Sequence, residues 1–107
     1  MKESKKISCP VEYTASILSG KYKWRILWAL VQDQPKRFKV LEREVTGISP
    51  TMLTTQLREL EADGLLTREV FATVPPTVEY RLTAFGQTIL PMMEEMKKWG
   101  LEHRNRQ

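Results

Sequence analysis

The sequence predicts a mainly α fold with one small β-hairpin, which places the chain in the α+β class. Several segments space their apolar residues with the period of a helix, whereas residues 66–82 alternate in character around a Val-Pro-Pro turn. The chain has 107 residues, of which 41% are hydrophobic and 28% charged, as in an ordinary globular domain. We therefore expect residues 1–107 to form a single domain with a modest core.

The stretch from Ser49 to Gly64, SPTMLTTQLRELEADG, predicts one helix with both of its ends marked. Ser49 is a suitable N-cap, Pro50 suits the first helical position, and Gly64 can adopt the left-handed conformation that ends a helix. The apolar positions of this helix fall within one narrow arc, at Leu53, Leu57 and Leu60. The helix is therefore expected to pack this leucine stripe on the core.

The opposite face of the same helix carries small hydroxyl side chains and one arginine, at Thr51, Thr54, Thr55 and Arg58. The acids of this stretch begin only at Glu59. An acid-free N-terminal half, where the helix dipole is positive, suits the major groove of DNA and is typical of a recognition helix. Taken alone, the pattern fits an ordinary amphipathic surface helix with a threonine-rich outer face better, so the DNA-binding interpretation depends on the neighbouring segments.

A shorter helix over residues 38–45 precedes this one, with Phe38, Leu41 and Val45 on one inward face. A three-residue turn, Thr46-Gly47-Ile48, joins the two and predicts a helix-turn-helix unit over residues 38–64. The net charge is +4, and cations are concentrated just upstream, at Lys21, Lys23, Arg25, Lys36, Arg37, Lys39 and Arg43. This basic block favours an acidic partner such as DNA.

The chain before residue 36 predicts an N-terminal arm and two helices. Residues 1–8 are polar and basic and predict a flexible arm, followed by a short helix over residues 11–18 with Pro10 at its start. Residues 22–32 are apolar nearly all round, which predicts the buried central helix of the domain. We interpret its tryptophans, Trp24 and Trp28, as core residues and not as a ligand site.

The hairpin over residues 66–82 directly follows the predicted recognition helix and is therefore expected to be a wing. Arg68 and Arg81 are its outward-reaching cations and are expected over the phosphates beside the groove. The alternative is a solvated hairpin in which these arginines pair with Glu69 or Glu79.

Residues 83–103 predict a long C-terminal helix capped by Thr83 and kinked at Pro91. Two apolar stripes run along it, one through Phe85, Ile89, Met92, Met96 and Trp99, and one through Leu90, Met93 and Leu101. One stripe suffices to pack on the domain, so the second favours a helix–helix dimer contact. A wider intramolecular core is the alternative.

The predicted order of elements is that of a winged helix. Several stretches of the sequence resemble the HxlR-type bacterial transcriptional regulators, which belong to the MarR-like winged helix-turn-helix proteins. They are CPVEYT at 9–14, GKYKWRILWAL at 20–30, KRF at 36–38, GISPTMLTTQLRELEADGLLTREV at 47–70 and VPPTVEYRLTAFG at 74–86, with WG near the end. The resemblance implies a winged helix with N-terminal and long C-terminal dimerisation helices, forming a small dimeric repressor or activator on an inverted-repeat operator. Tyr22 departs from the commoner pattern, which has tryptophan at that position.

The resemblance also implies a role for Cys9, because a cysteine at this position senses oxidants or electrophiles in several HxlR-type regulators. Cys9 precedes a helix N-terminus, with Lys5 and Lys6 nearby, and these surroundings favour the reactive thiolate. It is the single cysteine, so an oxidised product would be a mixed disulfide or a bridge between subunits. The alternative is a buried cysteine that serves as a small apolar filler.

The sequence thus predicts a homodimeric DNA-binding transcriptional regulator of the cytoplasm, with an effector, if any, left unassigned. The predicted DNA contacts are Thr51, Thr54, Thr55, Gln56, Arg58, Arg37, Lys39, Arg68 and Arg81. A winged-helix module that binds protein instead of DNA is the alternative, although the basic block argues against it. With one histidine and no Gly-rich phosphate loop, no enzyme activity, cofactor or metal is expected. No apolar run is long enough for a membrane span, and no signal-peptide pattern is present.

Overall fold

The computed structural model describes residues 8–104, and the arm predicted over residues 1–8 lies outside them except for Ser8. The order of elements is α1 (Pro10–Leu18), α2 (Lys23–Gln32), β1 (Lys36–Arg37), α3 (Phe38–Glu44), α4 (Pro50–Ala62), β2 (Leu66–Phe71), β3 (Thr77–Leu82), α5 (Ala84–Gln87) and α6 (Leu90–Arg104). This mainly α arrangement with a small antiparallel sheet confirms the predicted fold class. None of the described helices combines the length and apolar character needed to cross a membrane.

The core is formed mainly where α2, α3 and α4 meet. The leucine stripe of α4 is fully buried, as the periodicity predicts, with Leu53 and Leu60 at 0% exposure. It packs with the buried side of α2, which consists of Ile26, Leu27 and Leu30, and with Leu41 and Val45 of α3. Burial of these large aliphatic side chains holds α4 on the rest of the domain.

The sheet has the strand order β1-β3-β2, with both pairs antiparallel. Leu66 lies opposite Leu82 in the β2–β3 pair, and Lys36 lies opposite Tyr80 in the β1–β3 pair. Leu66, Tyr80 and Leu82 are buried and share the face that packs on the helices. The short extended piece predicted at residues 36–38 is thus the third strand that ties the hairpin to α3.

The predicted C-terminal helix over residues 83–103 is interrupted, and the expectation of one kinked helix is wrong. Thr83 caps α5 as predicted, because its hydroxyl accepts a hydrogen bond from the Gly86 N–H at 2.8 Å. The chain then turns at Thr88 and Ile89, and α6 begins at Leu90. Pro91 is therefore the second residue of α6, where a missing N–H is tolerated, and the helix starts afresh there instead of bending.

Trp24 of α2 is too exposed to be the core residue that the sequence predicts, whereas Trp28 packs against the core as predicted. Trp24 is 46% exposed and Trp28 is half-buried. Both line an open groove of about 780 Å³ between α2 and α6, together with Gln32, Met93, Met96, Lys97, Gly100, Leu101 and Arg104. Periodicity alone missed this because α2 is apolar on nearly all sides, whereas only the side with Ile26, Leu27 and Leu30 is fully buried.

Candidate nucleic-acid interface

The N-terminal end of α4 is built by local interactions that the sequence predicts. Ser49 is the N-cap, and its hydroxyl oxygen accepts a hydrogen bond from the Met52 backbone N–H at 3.1 Å. Pro50 occupies the first turn. In the turn before the cap, Gly47 has φ +91°, a left-handed conformation that favours glycine. These features fix the point at which the chain enters α4.

The polar face of α4 is presented to solvent. Thr51, Thr55 and Arg58 are exposed, and Thr54 is half-buried. The Thr54 and Thr55 hydroxyls donate to the carbonyl oxygens of Pro50 at 2.9 Å and of Thr51 at 3.1 Å. Each hydroxyl keeps its acceptor capacity, so both remain able to contact base edges.

Two further side chains of α4 differ from the sequence-based picture. Gln56 is half-buried, with its Oε1 atom close to Gly20, and this oxygen has no hydrogen-bond partner among residues 8–104. Its Nε2 atom donates to the Met52 sulfur at 3.3 Å, so the amide is not displayed beside the threonines. Met52 itself is 39% exposed, and its helical angle lies close to that of Thr55, although it was not among the predicted DNA contacts.

The basic block supplies fewer free cations than the sequence suggests. Lys23 is buried and pairs with Glu59, at 2.7 Å between Nζ and Oε1. Lys36 is also buried and pairs with Glu44. Arg25 donates a hydrogen bond to a backbone carbonyl oxygen of the helix-turn-helix turn at 3.0 Å. Internal partners thus hold these three of the seven cations, and a fourth, Arg37, forms a weaker ion pair with Glu79.

The exposed cations of the block include both residues that were predicted to contact the DNA backbone here. Arg37 is exposed and precedes α3 as its N-cap residue, and Lys39 is exposed in the first turn. Arg37 stands opposite Glu79 in the β1–β3 pair, with its Nε atom 4.0 Å from Glu79 Oε2. The arginine side chain is 60% exposed, so solvent weakens this ion pair.

The wing is formed as predicted, but its two arginines do not lie together. Arg68 pairs with Tyr80 across the ladder, whereas Arg81 pairs with Thr67. Since neighbouring residues of a strand point to opposite faces, the two exposed arginines project from opposite faces of the hairpin. In the part of the chain that the structure describes, the carboxylate of Glu79 pairs with Arg37 and not with either wing arginine.

Cys9 is exposed, so the alternative that it is a buried apolar filler is wrong. It is the N-cap residue of α1, and its carbonyl oxygen accepts a hydrogen bond from the Tyr13 N–H at 2.9 Å. Lys5 and Lys6, which the sequence places nearby, lie outside the described residues. Across residues 8–104, no group of three or more His, Cys, Asp or Glu side chains is arranged to hold a metal ion.

Comparison with known proteins agrees with this geometry. The family model described as HxlR-like helix-turn-helix matches residues 17–107. An uncharacterised HTH-type transcriptional regulator of Halalkalibacterium halodurans is 47% identical over 96 residues, which cover 90% of this chain and 85% of that protein. The relatives are transcriptional regulators and not enzymes, which confirms the expectation that this chain has no enzyme activity.

Solved structures show the same similarity in three dimensions. The reduced form of the redox regulator HypR has a TM-score of 0.85 and 46% sequence identity, covering 90% of this chain and 94% of HypR. The reduced form of the transcriptional regulator YodB from Bacillus subtilis has a TM-score of 0.77 and 34% identity, covering 88% and 92%. The chain therefore belongs to the HxlR-like helix-turn-helix family of transcriptional regulators.

Proposed function

We propose that the protein is a homodimeric transcriptional regulator that binds a specific DNA sequence through α4. The observation that carries this proposal is the exposed face of Thr51, Thr55 and Arg58, at the capped, dipole-positive half of α4 and without a carboxylate before Glu59. This face offers a bidentate donor, hydroxyls and methyl groups, which are the groups that read base edges in the major groove. The wing and the exposed Arg37 and Lys39 supply cations for the flanking phosphates.

The apolar surface of the two terminal helices supports the homodimer. On α6, Met96 is 50% exposed, Trp99 65% and Leu101 43%, and on α1 Val11 is 76% exposed. Large apolar side chains at this exposure are typical of a protein–protein contact and costly for a monomer. The groove between α2 and α6 is continuous with this surface, because Met96 and Leu101 also line it.

A symmetric dimer constrains the DNA site. Two copies of α4 related by a two-fold axis would enter successive major grooves about 34–36 Å apart, and the operator would then be an inverted repeat. The experiment is selection of bound sequences from a random duplex pool, repeated at two salt concentrations. We expect an inverted repeat whose affinity falls steeply as salt rises, because phosphate contacts release counterions.

A matched variant sharpens this experiment. Thr55→Glu places a carboxylate on the exposed face of α4 without removing a buried side chain, so the protein should fold but select no motif. Recovery of no motif by the unaltered protein, with only weak salt-sensitive binding, would overturn the proposal. It would then favour a winged-helix module that binds another protein.

We also propose that the regulator responds to oxidants through Cys9. The solved relatives include HypR, which is called a redox regulator and is known in reduced and oxidised forms, and YodB, which has been treated with diamide. In this chain, Cys9 is exposed at the start of α1, next to the apolar surface proposed for the dimer. Because it is the single cysteine, oxidation would link two subunits or add a small thiol.

A further inference from the structure

The start of α2 is bound to the turn of the helix-turn-helix unit by two side chains. The Tyr22 hydroxyl donates a hydrogen bond to the Gly47 carbonyl oxygen at 3.2 Å. One turn further, Arg25 Nη1 donates to the Thr46 carbonyl oxygen at 3.0 Å. Both acceptors lie in the segment that joins α3 to α4, so these bonds hold the chain where it enters the recognition helix.

A third contact from the same turn of α2 reaches the other half of α4. Lys23 Nζ lies 2.7 Å from Glu59 Oε1, with side-chain exposures of 10% and 51%. Lysine is seldom buried unless its charge is paired, and here Glu59 is the partner. The Glu59 carboxylate is about half exposed and stays in contact with water. The pair therefore holds α4 against the start of α2 without burying a second charge completely.

The contacts are anchored in a part of the domain that is closely packed. Ile26, Leu27 and Leu30 of α2 have 0% exposure, so α2 cannot shift without disturbing the core. The leucine stripe of α4 fixes how near this helix lies to α2. Apolar contacts are not directional, however, and the two hydrogen bonds and the ion pair add directional contacts at both ends of α4.

We propose that Lys23 and Glu59 are positioning residues for DNA recognition, which together with the Tyr22 and Arg25 contacts form a clamp that sets the orientation of α4. This inference rests on the proposed function, because it assigns how the same DNA-reading helix is held. None of the four side chains needs to contact DNA. The clamp acts through the exposed face of α4, whose side chains must reach base edges with sub-ångström accuracy.

The clamp and simple electrostatics predict opposite effects for one substitution. Glu59→Gln removes a negative charge from a helix that faces a polyanion, so charge alone would strengthen binding to every DNA. The clamp predicts weaker binding to the operator, because Lys23 loses its ion-pair partner and the orientation of α4 is then held by fewer contacts. Glu61→Gln is the matched control, since Glu61 is exposed on the same helix and forms no ion pair among residues 8–104.

The experiment measures affinity for the selected operator and for a scrambled duplex at one salt concentration. We expect Glu59→Gln to lower operator affinity about tenfold, which is the size of coupling usual between two side chains in contact. Its affinity for the scrambled duplex should not fall. Glu61→Gln should bind both duplexes at least as tightly as the unaltered protein. On the operator, Lys23→Met should lose affinity as Glu59→Gln does, whereas Lys23→Arg should retain the pair and most of the specific affinity.

Amide hydrogen exchange of the DNA-free protein gives a second readout that does not depend on an operator. The clamp predicts that exchange speeds up along α4 more than along α2 in Glu59→Gln compared with Glu61→Gln, beyond the general increase that follows from leaving the buried Lys23 charge unpaired. Equal exchange in the two variants, or equal operator affinity, would overturn the inference. Selection of no motif by the unaltered protein would instead contradict the proposed function, and the exchange comparison would still decide on the clamp.

Discussion

Gly86 of α5 lies directly against the backbone carbonyl of Leu65. A Cβ atom added to Gly86 would come within 2.2 Å of the Leu65 carbonyl oxygen and 3.1 Å of its carbonyl carbon. The same carbonyl oxygen accepts a hydrogen bond from the Thr83 N–H at 3.0 Å. This close approach joins the segment that follows α4 to the start of α5.

We expect Gly86→Ala to lower the free energy of unfolding by about 1–3 kcal/mol, because backbone on both sides must move to admit a methyl group. Gly100→Ala is the control, since among the described residues nothing lies within 4 Å of the added Cβ and alanine favours a helix. Thermal unfolding at one fixed protein concentration measures both. Equal midpoints for the two variants would show that the Leu65 backbone yields easily.

The cap of the recognition helix allows stability to be separated from DNA binding. Ser49→Ala removes the acceptor of the Met52 N–H and should cost about 1 kcal/mol of stability. Ser49→Asp retains an acceptor and should keep stability close to the original, but its carboxylate would repel phosphates and weaken DNA binding. A Ser49→Asp variant that keeps full DNA affinity would show that the DNA does not lie close to this end of α4.

The two wing arginines should contribute unequally to DNA binding, because they project from opposite faces of the hairpin. A duplex that lies along one face contacts one arginine and leaves the other in solvent. We expect one of Arg68→Ala and Arg81→Ala to reduce the slope of log affinity against log salt by about 0.9 and the other to leave it unchanged. Lys98→Ala, on α6, controls for the change in net charge, and equal slopes for both wing variants would contradict this geometry.

The exposed apolar side of α6 should be required for the dimer. Trp99 is 65% exposed and stacks on His103 of the same helix, with ring centroids 4.0 Å apart. We expect Trp99→Glu to yield a folded monomer by sedimentation equilibrium, because a buried charge at an apolar interface is costly. Lys98→Glu at the neighbouring exposed position should remain dimeric, and a dimeric Trp99→Glu variant would place the interface elsewhere.

Cys9 should govern the response to oxidants. Because the chain has one cysteine and it is exposed, diamide treatment should give a disulfide-linked dimer, or a mixed disulfide when glutathione is present. We expect this product to bind the operator with altered affinity, and Cys9→Ser to bind equally with and without diamide. Non-reducing electrophoresis and mass spectrometry identify the product. Unchanged operator binding after complete oxidation would exclude a sensing role.

Local rules in the sequence predicted most of the elements and both side-chain caps. Ser49 and Thr83 are hydroxyl residues just before helices, and each accepts the expected backbone N–H. The leucines of α4 and the alternation of the hairpin are periodic, so burial followed directly from spacing. These features depend on residues close together in the chain, and sequence reasoning captures such interactions well.

The tertiary structure alone decided which cations remain free and which apolar faces are covered. Lys23 and Lys36 look like exposed basic residues in the sequence, yet Glu59 of α4 and Glu44 of α3 pair with them inside the fold. Trp24 looks like a core residue, yet the helices that would cover it pack on the other side of α2. Both outcomes depend on contacts between different elements, because charge pairing and burial are set by how elements pack against one another.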